Sequence, residues 1–199
     1  MFGFLKKAVP LAQAKPVLQA GQIQPRIKHV NFLKSLRDAG VPPEQWPANT
    51  PLCGELIVTY AFDLPDSFMM ATPALLQQAG VSQVALPQLA RDNLAKALPQ
   101  PKFFAKDNCG IAVTGGDLEA TLLLVDTLWE EMQPNFSGEI LVVTPCRDRI
   151  LMCDSADADA VNALRQQAGE FYDEEQGAHR LSLQIMARRD RTWALHESH

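Results

Sequence analysis

Two hydrophobic patterns alternate along the chain, one typical of strands and one typical of helices. Residues 55–62 are apolar at both alternating sets of positions, which predicts a central β-strand that is covered on both faces. A turn at 63–66 and a second strand at 67–71 would complete a hairpin. The same reasoning predicts further strands at 103–105, 111–114, 139–144, 149–153, 181–185 and 191–195.

Helices are predicted where apolar residues recur every three or four positions. The longest spans 118–132, where Leu122, Val125 and Trp129 share one arc and should be buried. Residues 41–51, rich in proline, should form a connector. Other helices are predicted at about 27–37, 72–80, 87–98 and 161–171.

Strand pairs separated by single helices favour an α/β (α+β) fold, in which helices pack on a mixed, largely antiparallel sheet. We expect one sheet to contain residues 56–62, 140–144 and 150–153, with helix 118–132 packed against it.

Composition favours a globular cytoplasmic protein. The chain has 199 residues, of which 47% are hydrophobic and 21% charged. It has no apolar run of roughly 20 residues, as a membrane helix requires, and its start lacks the pattern of a signal peptide. The four cysteines have neither disulfide-framework nor zinc-site spacing, so we expect buried free thiols, no metal and no cofactor.

We expect a basic N-terminal arm at 1–22 and a single α/β domain at 23–199. Residues 1–50 have a net charge of +5 and the remainder −10, so we expect no nucleic-acid partner. The arm is either mobile or a contact for a partner or an anionic membrane, since Phe2 and Phe4 accompany its lysines. It could also mediate self-association through the acidic body.

Two polar residues stand at informative positions. Asn93 falls within the apolar arc of helix 87–98, so its amide should hydrogen-bond to a neighbouring element, or alternatively to a ligand. Asp117 follows Thr114-Gly-Gly, a loop that lacks the third glycine of a dinucleotide site and the Lys-Ser/Thr pair of a P-loop. We expect Asp117 to cap the following helix, with substrate binding as the alternative.

Three more carboxylates, Asp63, Asp148 and Asp154, lie at predicted strand ends or turns. Turn chemistry explains each of them, but they could also converge for metal binding or acid–base catalysis. The four histidines give no convincing serine-histidine-acid set, so we assign no catalytic residue.

Several segments together resemble the YtpQ-like bacterial family, a domain of unknown function, in order and spacing. The similarity covers about 23–194 and implies a soluble bacterial α/β protein, without a reaction, cofactor or catalytic residue to carry over. The segments are 23–27, 56–64, 90–94 with 98–99, 116–120 with 123, and 138–154.

Two functions follow as hypotheses. The leading one is a non-enzymatic interaction or accessory protein that binds an unknown protein partner or itself. The alternative is a small-molecule-binding protein or hydrolase-like enzyme with a polar pocket near Asp63, Asn93 and Asp117. A buried pocket lined by these three would favour the alternative, and a flat or apolar exposed patch would favour the first.

Overall fold

A computed structural model describes residues 17–106 and 108–197 and shows an α+β fold with two sheets. Within these ranges every strand pairing is antiparallel. The first 16 residues of the predicted arm lie outside the described residues. Leu18 is buried in the core, so the folded domain already includes residues before 23.

The first sheet has four strands with β3 at its centre. β3 pairs with β1 and β2 on its two edges, and β4 continues alongside its C-terminal half. The predicted central strand and its hairpin partner are therefore confirmed. The strands are β1 Ile23–His29, β2 Asn49–Cys53, β3 Leu56–Leu64 and β4 Ser67–Met70.

The second sheet has six strands in the order β10-β9-β7-β8-β6-β5. The single sheet predicted for 56–62, 140–144 and 150–153 is therefore wrong. β1 and β2 occupy the two hydrogen-bonding edges of β3, so no edge of β3 is open to β7. The strands are β5 Lys102–Lys106, β6 Cys109–Val113, β7 Ile140–Cys146, β8 Arg149–Asp154, β9 Met186–Arg189 and β10 Thr192–Leu195.

Five α-helices occur in the described part of the chain: α1 Asn31–Asp38, α2 Pro73–Gln78, α3 Leu86–Ala97, α4 Asp126–Met132 and α5 Ala158–Glu174. Short 3₁₀ helices occupy Ala20–Gln22, Pro43–Gln45, Glu119–Leu124, Gln133–Asn135 and Gly177–His179. None of the helices found there is both long enough and apolar enough to cross a membrane.

Two segments differ from their predicted structures at the start of the domain. The helix predicted at 27–37 is strand β1 followed by α1, which has no buried residue. Ile27, Val30 and Leu33 have a helix-like spacing, but Ile27 is buried within β1, whereas Val30 is exposed at the start of α1. The connector at 41–51 contains β2 at its end. Similarly, residues 181–185 are not a strand, and β9 begins only at Met186.

The helix predicted at 118–132 breaks into a buried 3₁₀ helix and α4, with Val125 between them at φ −96° and ψ 84°. Two indoles satisfy carbonyls beside the break: Trp129 Nε1 donates to Leu122 O at 2.7 Å and Trp193 Nε1 donates to Leu123 O at 2.8 Å. Leu122 and Trp129 are buried as predicted, whereas Val125 is only half-buried. Tertiary hydrogen bonds therefore replace helical ones here.

The second sheet is covered on both faces. Alternating residues of β7 and β8 point to opposite sides. Leu141 and Leu151 pack against α5, whereas Val142 and Ile150 enter a larger core shared with the first sheet, α3 and the 3₁₀ helix Glu119–Leu124. As predicted, Cys53, Cys109, Cys146 and Cys153 are buried and form no disulfide.

Candidate functional site

Three cations from two distant parts of the chain form what we call the basic cluster: Arg26, Lys28 and Arg147. Arg26 and Lys28 are two residues apart on β1 and so share one face of the strand. Arg147 lies in the turn between β7 and β8, and its carbonyl accepts from Ala120 N at 3.0 Å. That bond ties the hairpin turn to the 3₁₀ helix beside Asp117.

Two of the predicted site residues, Asp63 and Asp117, meet at this cluster. Arg26 Nη2 lies 2.6 Å from Asp63 Oδ1, and Arg26 Nη1 lies 3.1 Å from Asp117 Oδ2. Asp117 Oδ1 is also 3.1 Å from Arg147 Nη2. Arg26, with only 14% of its side chain exposed, therefore bridges both carboxylates.

The positive charge of the cluster is incompletely neutralised. Burial lowers the pKa of the Lys28 ammonium, and the charges of Arg147 and Arg26 lower it further, against an opposing effect of Asp117. Lys28 Nζ lies over the Phe32 ring at 5.8 Å from its centroid and has no ion-pair partner in the described part of the chain. Arg26 Nε is buried without a hydrogen-bond partner.

Two cavities adjoin the cluster and share Lys28. The smaller, of about 30 Å³, has room for one or two water-sized groups and touches Arg26, Asp117 and Arg147. The larger is a groove of about 440 Å³ that combines cations with apolar surface. It is lined by Lys28, His29, Asn31, Phe32, Ser35, Tyr172, Gly177, Arg180 and Leu181.

Asn93 is buried away from these carboxylates and holds the start of the domain in place. Its Nδ2 donates to Ala20 O and to Ile23 O, both at 2.9 Å. The expectation of a buried amide bonded to a neighbouring element is therefore confirmed. The small cavity is lined by Asp117 but by neither Asp63 nor Asn93, so the three residues do not line it together.

Glu119, and not Asp117, stabilises the loop before the 3₁₀ helix, which corrects the predicted cap. Glu119 is fully buried, and its Oε1 accepts from Thr114 N at 2.8 Å and from Gly116 N at 2.6 Å. Gly116 has a φ of +91°, which favours glycine. The three-residue spacing from Gly116 to Glu119 matches the glutamate half of a capping box and was the overlooked signal.

Asp148 and Asp154 flank opposite ends of β8 and cannot share a site. Six residues of extended chain separate them by about 20 Å. Asp154 accepts from the backbone N–H groups of Ser137 at 2.5 Å, Gly138 at 2.9 Å and Ala156 at 2.9 Å. These bonds, that of Ala156 foremost, lower the pKa of Asp154. Turn chemistry thus explains Asp154.

Asp148 instead lies beside two residues that the sequence analysis did not single out, Cys146 and Glu175. One donor atom from each of the three lies within 4.8 Å of the others. Burial foremost, and then the neighbouring Asp148 carboxylate, raise the pKa of the Cys146 thiol to about 12. No sequence spacing could reveal this group, because Glu175 is far from the hairpin along the chain.

Comparison with known proteins gives distant relatives. The UPF0354 proteins of Listeria monocytogenes and Listeria welshimeri are 24% and 23% identical over 159 residues, and each alignment covers 77% of this chain and 60% of the relative. The UPF0354 protein of Shouchella clausii is 26% identical over 124 residues, covering 59% and 45%. The chain is similar to these UPF0354 proteins. The bacterial resemblance found in the sequence is thereby confirmed at low identity.

The chain aligns with less than two thirds of the length of these UPF0354 relatives. No protein-family model matches it, and no solved structure matches it. Like the YtpQ-like resemblance, the name UPF0354 carries no activity. The geometry of the basic cluster itself suits the binding of an anionic group by charge.

Proposed function

We propose that this UPF0354 relative is a non-enzymatic cytoplasmic binding protein whose basic cluster docks an acidic segment of a partner protein. The observation that carries the proposal is the Lys28 ammonium, half-buried between two arginines and without an ion-pair partner in the described ranges. A carboxylate supplied by the partner would offset the repulsion among the three cations.

The surroundings support a peptide-like partner. Residues 51–199 carry a net charge of −10, so most of this surface would repel an acidic segment and direct it to the basic cluster. Phe32, Tyr172 and Leu181 in the adjoining groove offer apolar contacts for neighbouring side chains. Charge would fix the orientation of the bound acidic segment, and apolar contacts would add affinity.

A matched pair of charge reversals tests the proposal. Lys28→Glu and Lys34→Glu alter the net charge equally, but Lys34 lies exposed on α1 and does not line the groove. We expect partners enriched by the wild type from its bacterium at low salt to be retained by Lys34→Glu and lost by Lys28→Glu. Equal retention by both variants would remove the basic cluster as the docking site.

A defined probe gives a direct reading of the site. NMR titration with a blocked peptide of alternating glutamate and phenylalanine should shift the amides of 26–32 and 172–181, and salt should reverse the shifts. Shifts confined to other regions would contradict docking at this groove. Sedimentation of the protein alone tests whether a second copy is the acidic partner.

The small-molecule alternative has one specific observation in its favour, the buried Arg26 Nε without a hydrogen-bond partner. A small anion in the 30 Å³ cavity could accept from it. Titration with a small anion such as chloride or formate separates the two functions. Saturable shifts at 26–28, 117 and 147 with these anions, and none with the peptide, would favour the small-molecule alternative.

A further inference from the structure

We infer that Cys146, Asp148 and Glu175 form a binding site for a divalent transition-metal ion of the zinc class. Cys146 ends β7, Asp148 lies in the β7–β8 turn and Glu175 follows the last residue of α5. Backbone bonds hold these parts together: Arg147 N donates to His179 O at 3.0 Å, and Leu181 N donates to Pro145 O at 2.8 Å. The three donors therefore come from a fixed framework.

The donor atoms already lie close to a coordination geometry. One atom from each residue falls within 4.8 Å of the other two. A tetrahedral zinc ion, with ligands at 2.0–2.3 Å, holds its donor atoms roughly 3.3–3.8 Å apart. Small rotations of the Asp148 and Glu175 side chains, which are 24% and 28% exposed, would close the remaining distance.

One carboxylate oxygen of Asp148 accepts a hydrogen bond, and the other has no hydrogen-bond partner. Its Oδ2 accepts from Arg149 Nη1 at 2.7 Å, while its Oδ1 is buried without a hydrogen-bond partner. A second contact that orients a metal-binding carboxylate is typical of protein metal sites. The unpartnered Oδ1 is the oxygen available to an ion, and this observation is independent of the spacing of the three donors.

The mixed donor set selects the class of ion. Calcium and magnesium take oxygen ligands, whereas a thiolate with carboxylates suits a borderline-soft ion such as zinc or cobalt. Cys146 is only 2% exposed and faces two carboxylates rather than apolar atoms alone. On binding, the ion would displace the thiol proton to solvent and form a metal–sulfur bond.

His179 is a candidate fourth ligand. Its Nδ1 lies 3.6 Å from Glu175 Oε1, at the end of the 3₁₀ helix Gly177–His179. Rotation of its side chain, which is 45% exposed, could bring an imidazole nitrogen to the open position of a tetrahedral ion. The site would thereby link the hairpin turn that carries Arg147 to the end of α5.

Titration of the purified full-length protein with Co²⁺ and Zn²⁺ tests the inference. We expect one Co²⁺ per chain, with a near-ultraviolet thiolate-to-metal absorption band and the intense visible bands of tetrahedral cobalt, and displacement of Co²⁺ by Zn²⁺. Bound Zn²⁺ should also raise the melting temperature. An absence of saturable binding, or a cobalt spectrum without the thiolate band, would overturn the site.

Paired variants locate the ion. Glu175→Gln should weaken Zn²⁺ binding about tenfold or more, whereas Glu174→Gln, one position earlier and exposed, should leave it unchanged. Cys146→Ser should abolish the thiolate band, whereas Cys53→Ser should retain it. Because Cys146 is buried, thermal melts must show that the Cys146→Ser variant is folded. Glu175→Gln, at a half-buried position, tests the metal site independently of that variant. Wild-type affinity in Glu175→Gln would refute the assignment.

Discussion

The two ends of the β7–β8 hairpin each carry an aspartate, but the hydrogen bonding of the two carboxylates differs. At the open end, Asp154 accepts three backbone N–H bonds and closes the turn onto Ser137, Gly138 and Ala156. At the turn end, Asp148 has a buried oxygen with no hydrogen-bond partner, beside a thiol and a second carboxylate. The difference separates polar groups that complete the backbone from those that are left for a ligand.

The same division extends through the molecule. Asn93 and Glu119 belong with Asp154, because each bonds backbone groups, although the second oxygen of Glu119, Oε2, is also buried without a hydrogen-bond partner. Lys28 belongs with Asp148, because its charge is half-buried without an ion-pair partner in the described residues. Substitution of the first class should destabilise the fold, whereas substitution of the second should chiefly impair binding.

The largest loss should come from Glu119→Ala. It removes the acceptor of two backbone N–H groups and leaves a cavity, so we expect a loss on the order of 3 kcal/mol in the free energy of unfolding, measured by urea denaturation. Glu119→Gln keeps an amide oxygen as acceptor and should lose less. An equal loss in the two variants would show that the carboxylate charge, rather than the acceptor, matters.

Asn93→Leu should be next, with a loss of about 1–3 kcal/mol, because the carbonyls of Ala20 and Ile23 lose their donor and the leucine adds bulk. Gln88→Leu, on the exposed face of the same helix, is the control and should change stability by less than about 0.5 kcal/mol. Unchanged stability in Asn93→Leu, together with loss of a bound metabolite, would move Asn93 to the ligand-binding class.

Asp154→Asn should lower the free energy of unfolding by about 1 kcal/mol at pH 7, because a neutral amide replaces the charged carboxylate that accepts three N–H bonds. The pKa of Asp154 lies below its ordinary 3.8 in the folded protein, so its ionised form stabilises the fold at higher pH. That stabilisation is lost as pH falls through the folded pKa. Urea melts from pH 7 to pH 2.5 should show the variant and wild type converging; a constant difference would contradict this.

Lys28→Gln should have the smallest effect and the opposite sign. Because burial and two arginines lower the pKa of Lys28, its charge destabilises the fold, and we expect the variant to gain about 0.3 kcal/mol at pH 7. The wild type should recover this difference as pH rises through the lowered folded pKa towards 10.5. Lys34→Gln serves as the control. A clear loss of stability in Lys28→Gln would place Lys28 among the structural residues.

Local sequence patterns were sufficient to predict the structure where residues close in the sequence contact one another. Thr72 accepts from Leu75 N at the start of α2, and β3 pairs with β4 across the predicted turn. Asn93 could be predicted because a polar residue in an apolar helical arc needs a partner. The pattern failed at 118–132, since the indoles of Trp129 and Trp193 satisfy carbonyls there. Trp193 is too remote in sequence for helical periodicity to register.

The α+β class, the hairpins, the buried thiols and most helices could be predicted from the sequence, because hydrophobic periodicity and turn residues act over a few positions. The division of the strands into two sheets, and the position of the basic cluster and of the Cys146, Asp148 and Glu175 group at one hairpin turn, could be seen only in the folded chain. Arg26 and Asp117, which form an ion pair, are 91 residues apart in the sequence. The Ser182 hydroxyl donates to the Glu55 carboxylate at 2.7 Å across a separation of 127 residues. Such pairings depend on chain topology, which brings together residues with no shared local pattern.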